Sequence, residues 1–100
     1  MHELDERLPV ASPAVIYRAV GDGAVLLSAT DEVYYGLNRV GARIWELLPP
    51  ATTSLTELCA ALHREYPQVD LPTLRNDAID LLRDLVANGL AVKAEAEQAA

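Results

Sequence analysis

The stretch from Val33 to Leu48, VYYGLNRVGARIWELL, changes its hydrophobic period at Asn38. Before Asn38, aromatic and β-branched residues are typical of a strand, in which side chains alternate between two faces. After it, apolar residues recur at helical spacing, and Asn is a residue type that caps helix N-termini. The stretch therefore predicts a strand that runs directly into a helix, and Pro49-Pro50 is expected to end that helix.

Two further strands are predicted upstream of this stretch. They are the segments AVIYRAV (residues 14–20) and AVLLSA (residues 24–29). The turn segment GDG separates them from each other, and the turn segment TDE separates the second one from the strand at 33–37. Short strands joined by tight turns predict an antiparallel meander whose strand order follows the chain. In such a sheet, the third strand keeps one free backbone edge unless another element covers it.

Two further helices are predicted downstream. The run from Ser54 to Glu57 has the Ser-x-x-Glu form of a capping box and predicts a helix to about Tyr66. Asp70 or Thr73 is suited to cap a third helix, and Asn88-Gly89 to end it.

Strands followed by helices predict an α+β domain. The expected architecture is winged-helix-like, a three-stranded antiparallel β-meander followed by three α-helices. The domain is expected to span residues 14–92, between a flexible N-terminal segment (1–13) and a flexible acidic tail (93–100).

Charge and composition exclude several classes of partner. Fifteen acidic residues against eight basic ones give a net charge of −7, which repels phosphate backbones and anionic lipid. The single cysteine, Cys59, has no internal partner, and the sequence contains neither a secretion signal nor an apolar run of about 20 residues. We therefore expect a cytoplasmic protein that binds neither nucleic acid nor membrane.

The pattern of reactive side chains disfavours an enzyme. His2 and His63 lie far apart and have no Cys or His at metal-ligand spacing, and Cys59 falls on the apolar stripe of the second helix. No general acid, base or nucleophile constellation emerges. The sequence therefore predicts no catalytic residue, no cofactor and no metal site.

A winged-helix transcription regulator is a further alternative. The helix that would read DNA carries Asp77, Asp80 and Asp84 against only Arg75 and Arg83. A DNA-reading helix needs the opposite balance of charge. This class is therefore disfavoured.

The third helix has more apolar surface than a helix with one buried face needs. Leu74, Ala78, Leu81 and Leu85 form one cluster on a helical wheel, and a second cluster beside it contains Ile79, Leu82 and Val86, with Arg75 in its midst. The second cluster is either buried on another side or lines a groove. A groove beside the free edge of the third strand would have the geometry of β-augmentation, in which an extended peptide adds a strand to a sheet.

The strand-to-helix stretch, the SLTEL start of the second helix and the D-x-x-x-LL-x-x-L-x-x-x-GL close resemble the PqqD-like family, also called RiPP recognition elements. The resemblance covers about residues 14–92. It implies a small winged-helix-like domain that binds the leader segment of a ribosomally made precursor peptide. The implied binding cleft lies between the third strand and the third helix.

The form YYGLN-x-x-GARIWELL in a free-standing chain resembles most the recognition protein of lasso-peptide biosynthesis. Such a protein presents the precursor to a leader peptidase and to a macrolactam-forming synthetase, the lasso cyclase. The alternative within the family is the pyrroloquinoline quinone pathway chaperone, which serves a radical enzyme.

The free edge and the spare apolar flank coincide with the implied cleft. In the third strand, Val33, Tyr35 and Leu37 are expected to face the helices, while Tyr34 and Gly36 face away. Arg75 is expected at the rim of the cleft, where it would meet an acidic side chain or a carbonyl of the leader. The predicted peptide contacts are Val33, Tyr34, Tyr35, Gly36, Leu37, Leu74, Arg75, Ala78, Ile79, Leu82 and Val86.

Overall fold

The computed structural model describes residues 7–30 and 32–93 of the chain. Within these residues the elements are β1 (Val10–Ala11), β2 (Val15–Val20), β3 (Gly23–Ser28), β4 (Tyr34–Leu37), α1 (Arg39–Glu46), α2 (Leu55–Glu65), α3 (Leu71–Ala87) and β5 (Ala91–Val92). A three-stranded antiparallel sheet followed by three helices confirms the predicted α+β fold. The predicted third strand is β4.

The three-stranded sheet has the order β2-β3-β4, as the meander predicts. The β2–β3 turn places Gly21 at φ +60°, a conformation that glycine adopts without steric cost. The β3–β4 register runs from Ala24 opposite Leu37 to Leu27 opposite Tyr34. Because β3 pairs on both sides, β2 and β4 are the two edges of this sheet.

One residue, Asn38, joins β4 to α1, and it caps the helix. Its Oδ1 accepts a hydrogen bond from the N–H of Gly41 at 2.8 Å. A Cβ added to Gly41 would lie 3.3 Å from both Asn38 Oδ1 and Leu37 Cδ2, so the small residue allows a tight junction. The C-terminal end of β4 is therefore fixed to the helical layer.

The starts of α2 and α3 are capped to different degrees. Ser54 Oγ accepts from the N–H of Glu57 at 3.1 Å. The Glu57 carboxylate in turn accepts from the N–H of Thr53 at 2.9 Å, so the capping box is present and its return bond reaches one residue further upstream. Asp70 is the N-cap of α3 but makes no side-chain capping bond.

The end of α3 is a glycine stop. Gly89 lies at φ +74°. Its N–H donates to the C=O of Val86 at 3.1 Å, and the N–H of Leu90 donates to the C=O of Leu85 at 2.8 Å. This pair of bonds is a Schellman motif, which turns the chain away from the helix axis. The predicted stop is confirmed.

The N-terminal part of the chain differs from the expected boundary at residue 14. Leu8 is only 2% exposed, and β1 pairs with β5 in a separate two-stranded sheet. The turn at the end of α3 brings β5 into this position, and the N–H of Ser12 donates to the C=O of Leu90 at 3.0 Å. Residues 7–13 are thus packed into the fold, while 1–6 and 94–100 lie outside the described residues.

The core lies between the inner face of the sheet and the three helices. Its side chains are mainly leucines, including Leu26, Leu58, Leu62, Leu74, Leu85 and Leu90, each 0% or 1% exposed. Among the described residues, no helix combines the length and the apolar character needed to cross a bilayer.

Candidate functional site

The outer edge of β4 presents backbone groups that have no backbone partner among the described residues. The N–H of Ser28 donates to the C=O of Val33 at 2.9 Å, which identifies Ser28 and Val33 as a hydrogen-bonded pair of the β3–β4 ladder. Bonded and non-bonded pairs alternate along an antiparallel ladder. Tyr35 therefore directs its backbone groups to β3, whereas Tyr34 and Gly36 direct their N–H and C=O groups outward. We call this outward row the free edge of β4.

The two faces of β4 are unequally exposed. Leu37 is buried, and Tyr35 is half-buried and packs against the core. Tyr34 is 72% exposed on the opposite face, which it shares with Gly36. Val33, which precedes the strand, is half-buried. The predicted alternation is therefore observed, with Tyr35 and Leu37 facing the helices.

A hydrogen bond connects β4 directly to α3. The hydroxyl of Tyr35 donates to Oδ2 of Asp84 at 3.0 Å. Partial burial, followed by this bond to a carboxylate, raises the pKa of the Tyr35 hydroxyl above its ordinary value, because both disfavour the phenolate. The contact identifies the flank of α3 that bears Asp84 as the one that faces β4.

The predicted contact residues on α3 do not all lie on that flank. Leu74 and Ala78 are 1% and 0% exposed, and Leu82 is 8% exposed. In this structure the three belong to the core and have almost no surface to offer a peptide. A contact with a peptide would require the cleft to open.

The remaining predicted residues of α3 lie away from Asp84. Ile79 and Val86 are half-buried and pack against the core, and Arg75 is exposed. Arg75 and Asp84 are nine residues apart, which at 3.6 residues per turn places them about 180° apart on the helix. The Arg75 flank and the Asp84 flank therefore cannot both face β4, and the contacts predicted for Arg75, Ile79 and Val86 stay predictions.

The flank of α3 that faces β4 is acidic. Asp77 and Asp80 are exposed and lie within about 40° of Asp84 on the helical wheel. Leu81, on the core side of this acidic row, is half-buried and packs against the core. The wall beside β4 is thus apolar at its base and negatively charged at its rim. We call it the acidic flank of α3, defined by Asp77, Asp80, Leu81 and Asp84.

Asp84 is not among the contacts predicted from the sequence. In the sequence the three aspartates indicate a negative charge that disfavours DNA binding, and their spacing shows only that they share one side of the helix. The relevant signal is a tyrosine that points inward from an edge strand, since a partly buried hydroxyl needs a hydrogen-bond acceptor. That signal does not say which helix supplies the acceptor.

The opposite edge of the sheet, β2, carries a similar tyrosine in a different setting. Tyr17 donates to Oε2 of Glu46 at 2.6 Å, and Glu46 also pairs with Arg43 at 3.1 Å. Arg43 in turn pairs with Glu65 of α2 at 2.8 Å. The bonds from Tyr17 and Arg43 lower the pKa of Glu46, because they favour its charged form. Tyr17 is thus held by a chain of contacts that reaches two helices.

An open groove of about 540 Å³ lies beside Tyr17, between Ala11, Trp45 and the turn at residues 49–51. None of the predicted contact residues lines this groove. Within residues 7–30 and 32–93, no group of three or more His, Cys, Asp or Glu side chains is arranged to hold a metal ion.

A free strand edge beside a helix is the geometry of domains that bind an extended peptide by adding a strand. The family model described as "Coenzyme PQQ synthesis protein D (PqqD)" matches residues 23–91. The chain therefore belongs to the PqqD family, as the resemblance predicts. The matched region contains β3, β4 and all three helices, and therefore both walls of the cleft.

One solved structure is similar over most of the chain. It is described as "TbiB1 in Complex with the TbiA(beta) Leader Peptide", and it shares 38% sequence identity with this chain at a TM-score of 0.73. The match covers 82% of this chain and 93% of that chain. No curated protein matches the sequence.

Proposed function

We propose that this protein binds the leader segment of a ribosomally synthesised precursor peptide. The leader adds as a strand to the free edge of β4 and is presented to processing enzymes. The observation that carries the proposal is the outward direction of the N–H and C=O groups of Tyr34 and Gly36. Family membership and the leader peptide bound to the similar TbiB1 protein support it.

Backbone pairing at β4 supplies affinity that depends little on sequence. Residues of an added strand alternate between two faces, so half of the leader side chains face Tyr35 and α3. The acidic flank of α3 would favour lysine or arginine at the rim and apolar side chains near Leu81. A net charge of −7 strengthens the attraction of a basic segment.

Proline substitution at an edge strand tests strand addition. Gly36→Pro removes an outward N–H and places a ring at the free edge, while the bonds from β4 to β3 use other residues. We expect leader affinity to fall at least tenfold, which corresponds to about 1.4 kcal/mol. The probe is the TbiA(beta) leader peptide, and its binding is measured by fluorescence anisotropy.

The matched control lies on the other edge. The N–H of Ala29 donates to the C=O of Ala14 at 3.0 Å, so by alternation Ala19 directs its N–H away from β3. Ala19→Pro therefore makes the same change at β2. Equal loss of binding in both variants would contradict the proposal, as would unchanged binding in Gly36→Pro with its fold verified by circular dichroism.

We further propose that the pathway is lasso-peptide biosynthesis, in which the partners are a leader peptidase and a lasso cyclase. In that case, adding the chain should accelerate cleavage of the precursor by the peptidase, and Gly36→Pro should remove the acceleration. A pyrroloquinoline quinone type chaperone is the alternative. Association with a radical enzyme, without any effect on a peptidase, would favour it.

A further inference from the structure

Gly36 is the glycine that the fold itself does not require. The chain has five glycines. Gly21 and Gly89 have positive φ angles. A Cβ on Gly23 would clash with the carbonyl oxygen of Leu37, and Gly41 is packed against Asn38 and Leu37. At Gly36, φ is not positive, and an added Cβ would meet nothing within 4 Å.

A glycine without a structural reason weakens a strand. Glycine inside a strand destabilises by roughly 0.5–1 kcal/mol relative to alanine. Gly36 therefore lowers the stability of β4 with no compensating contact in the free protein. Glycine inside a strand often marks a site where a ligand approaches closely.

The surroundings of Gly36 form a notch on the outer face of the sheet. Tyr34, two residues before Gly36 on the same face, is 72% exposed. Val25, opposite Gly36 in β3, is half-buried. The notch is thus bounded by an aromatic ring and an aliphatic side chain, has no side chain in its centre, and opens toward the free edge of β4.

The geometry points to a specificity site in this notch for a large apolar side chain, aromatic or long aliphatic, on the leader residue opposite Gly36. The inference rests on the proposed strand addition. A strand beside β4 places the side chain opposite Gly36 on the outer face in either direction of the peptide. That side chain lies across Gly36 and contacts Tyr34 and Val25, in the manner of aromatic side chains that cover glycines in cross-strand pairs.

Display of random 15-residue peptides tests the inference without knowledge of the natural leader. Selections are run in parallel on the wild-type protein, on Gly36→Val and on Ala19→Val. Valine at position 36 fills the notch but keeps the outward N–H, so the edge can still pair. Ala19→Val is the control, since it adds two methyl groups at an exposed position on the inner face of the opposite edge strand. Urea unfolding is expected to show Gly36→Val at least as stable as the wild type.

Peptides selected on the wild type are expected to share a large apolar residue at one position and to bind Gly36→Val at least tenfold more weakly. Selection on Gly36→Val should enrich glycine, alanine or serine there, with the rest of the motif kept. Identical motifs for the two proteins would overturn the notch and leave strand addition intact, provided that Gly36→Pro abolishes binding. Selected peptides that bind Gly36→Pro as tightly as the wild type would overturn strand addition and the notch together.

Discussion

The two edges of the sheet are similar in construction but differ in how they are held. Each edge strand places one tyrosine on the inner face, and each hydroxyl donates to a helix carboxylate: Tyr17 to Glu46 and Tyr35 to Asp84. Glu46 is further tied through Arg43 to α2. Within the described residues, the Asp84 carboxylate has this tyrosine contact and no ion pair.

The difference indicates a division of roles between the edges. At β2, Tyr17 bonds to Glu46 of α1, and Glu46 is itself held by Arg43, which pairs with Glu65 of α2. At β4 the strand is anchored at Leu37 by the junction with α1, while the side-chain hydrogen bond that links it to α3 within the described residues is the one from Tyr35 to Asp84. We expect β4 and α3 to separate more readily than β2 and α1, which suits an edge that admits a peptide.

The largest effect is expected where a charge enters the core on the side of α3 that points away from Asp84. Leu82→Asp places a carboxylate at a site that is 8% exposed and should cost about 3 kcal/mol or more of unfolding free energy. Ile79→Asp, at a half-buried site, should cost less unfolding free energy and leave the leader affinity within threefold of the wild-type value. Urea unfolding and anisotropy measure both quantities. A tenfold loss of affinity in folded Ile79→Asp would show that the peptide lies along the Arg75 flank, as the hydrophobic pattern predicts.

A smaller effect distinguishes the two tyrosines. The pKa of each hydroxyl is raised from 10.0, at Tyr17 mainly by the bond to Glu46 and at Tyr35 mainly by burial. Glu46→Ala should therefore remove most of the rise in the pKa of Tyr17, while Asp84→Ala should leave much of the rise in the pKa of Tyr35 in place. NMR titration of the tyrosine Cζ resonances measures both. Equal recovery at the two sites would contradict the assigned causes.

The sign of the pH dependence follows from these shifts. A raised pKa means that the folded state favours the neutral hydroxyl. The stability from the two tyrosines is complete below pH 10 and is lost as the pH rises through the folded pKa values. Tyr17→Phe and Tyr35→Phe should each lose less stability between pH 9 and pH 11 than the wild type does. In urea unfolding, each difference from the wild type should be about 1 kcal/mol or less.

The smallest effect compares charges on the two flanks of α3. Exposed charges at the rim of an interface mainly change the association rate and its salt dependence, at about 1 kcal/mol or less. With a leader that carries lysine or arginine, Asp80→Asn should slow association and flatten its salt dependence, and Arg75→Ala should change it less. Stopped-flow measurements of the association rate at two ionic strengths test this expectation. A larger effect of Arg75→Ala would place the peptide on the Arg75 flank.

Local signals in the sequence predicted most of the fold. The change of period at Asn38 predicted the β4–α1 junction, and the Ser54 box and Gly89 predicted helix ends, because each depends on residues within a few positions of one another. The pairing of β1 with β5 was not predicted, since strands of two residues carry no measurable period. Their contact depends on where the end of α3 directs the chain.

The free edge of β4 was also predictable, because strand order in a meander follows from turn length. The sequence did not show which flank of α3 faces that edge. The helical wheel gave two apolar clusters but no direction toward the sheet. The contact that fixes the direction joins Tyr35 to Asp84, 49 residues further along the chain, and no pattern in the sequence pairs them.

The central claim is that a leader peptide pairs with the outward backbone groups of Tyr34 and Gly36. Residue-resolved amide hydrogen exchange, with and without a saturating leader peptide, tests it most directly. The amides of Tyr34 and Gly36 are expected to exchange rapidly in the free protein and to become protected by at least tenfold with peptide, while Ala19 on the other edge stays unchanged. Protection confined to β2 or to α2, with Tyr34 and Gly36 still exchanging rapidly, would contradict the claim.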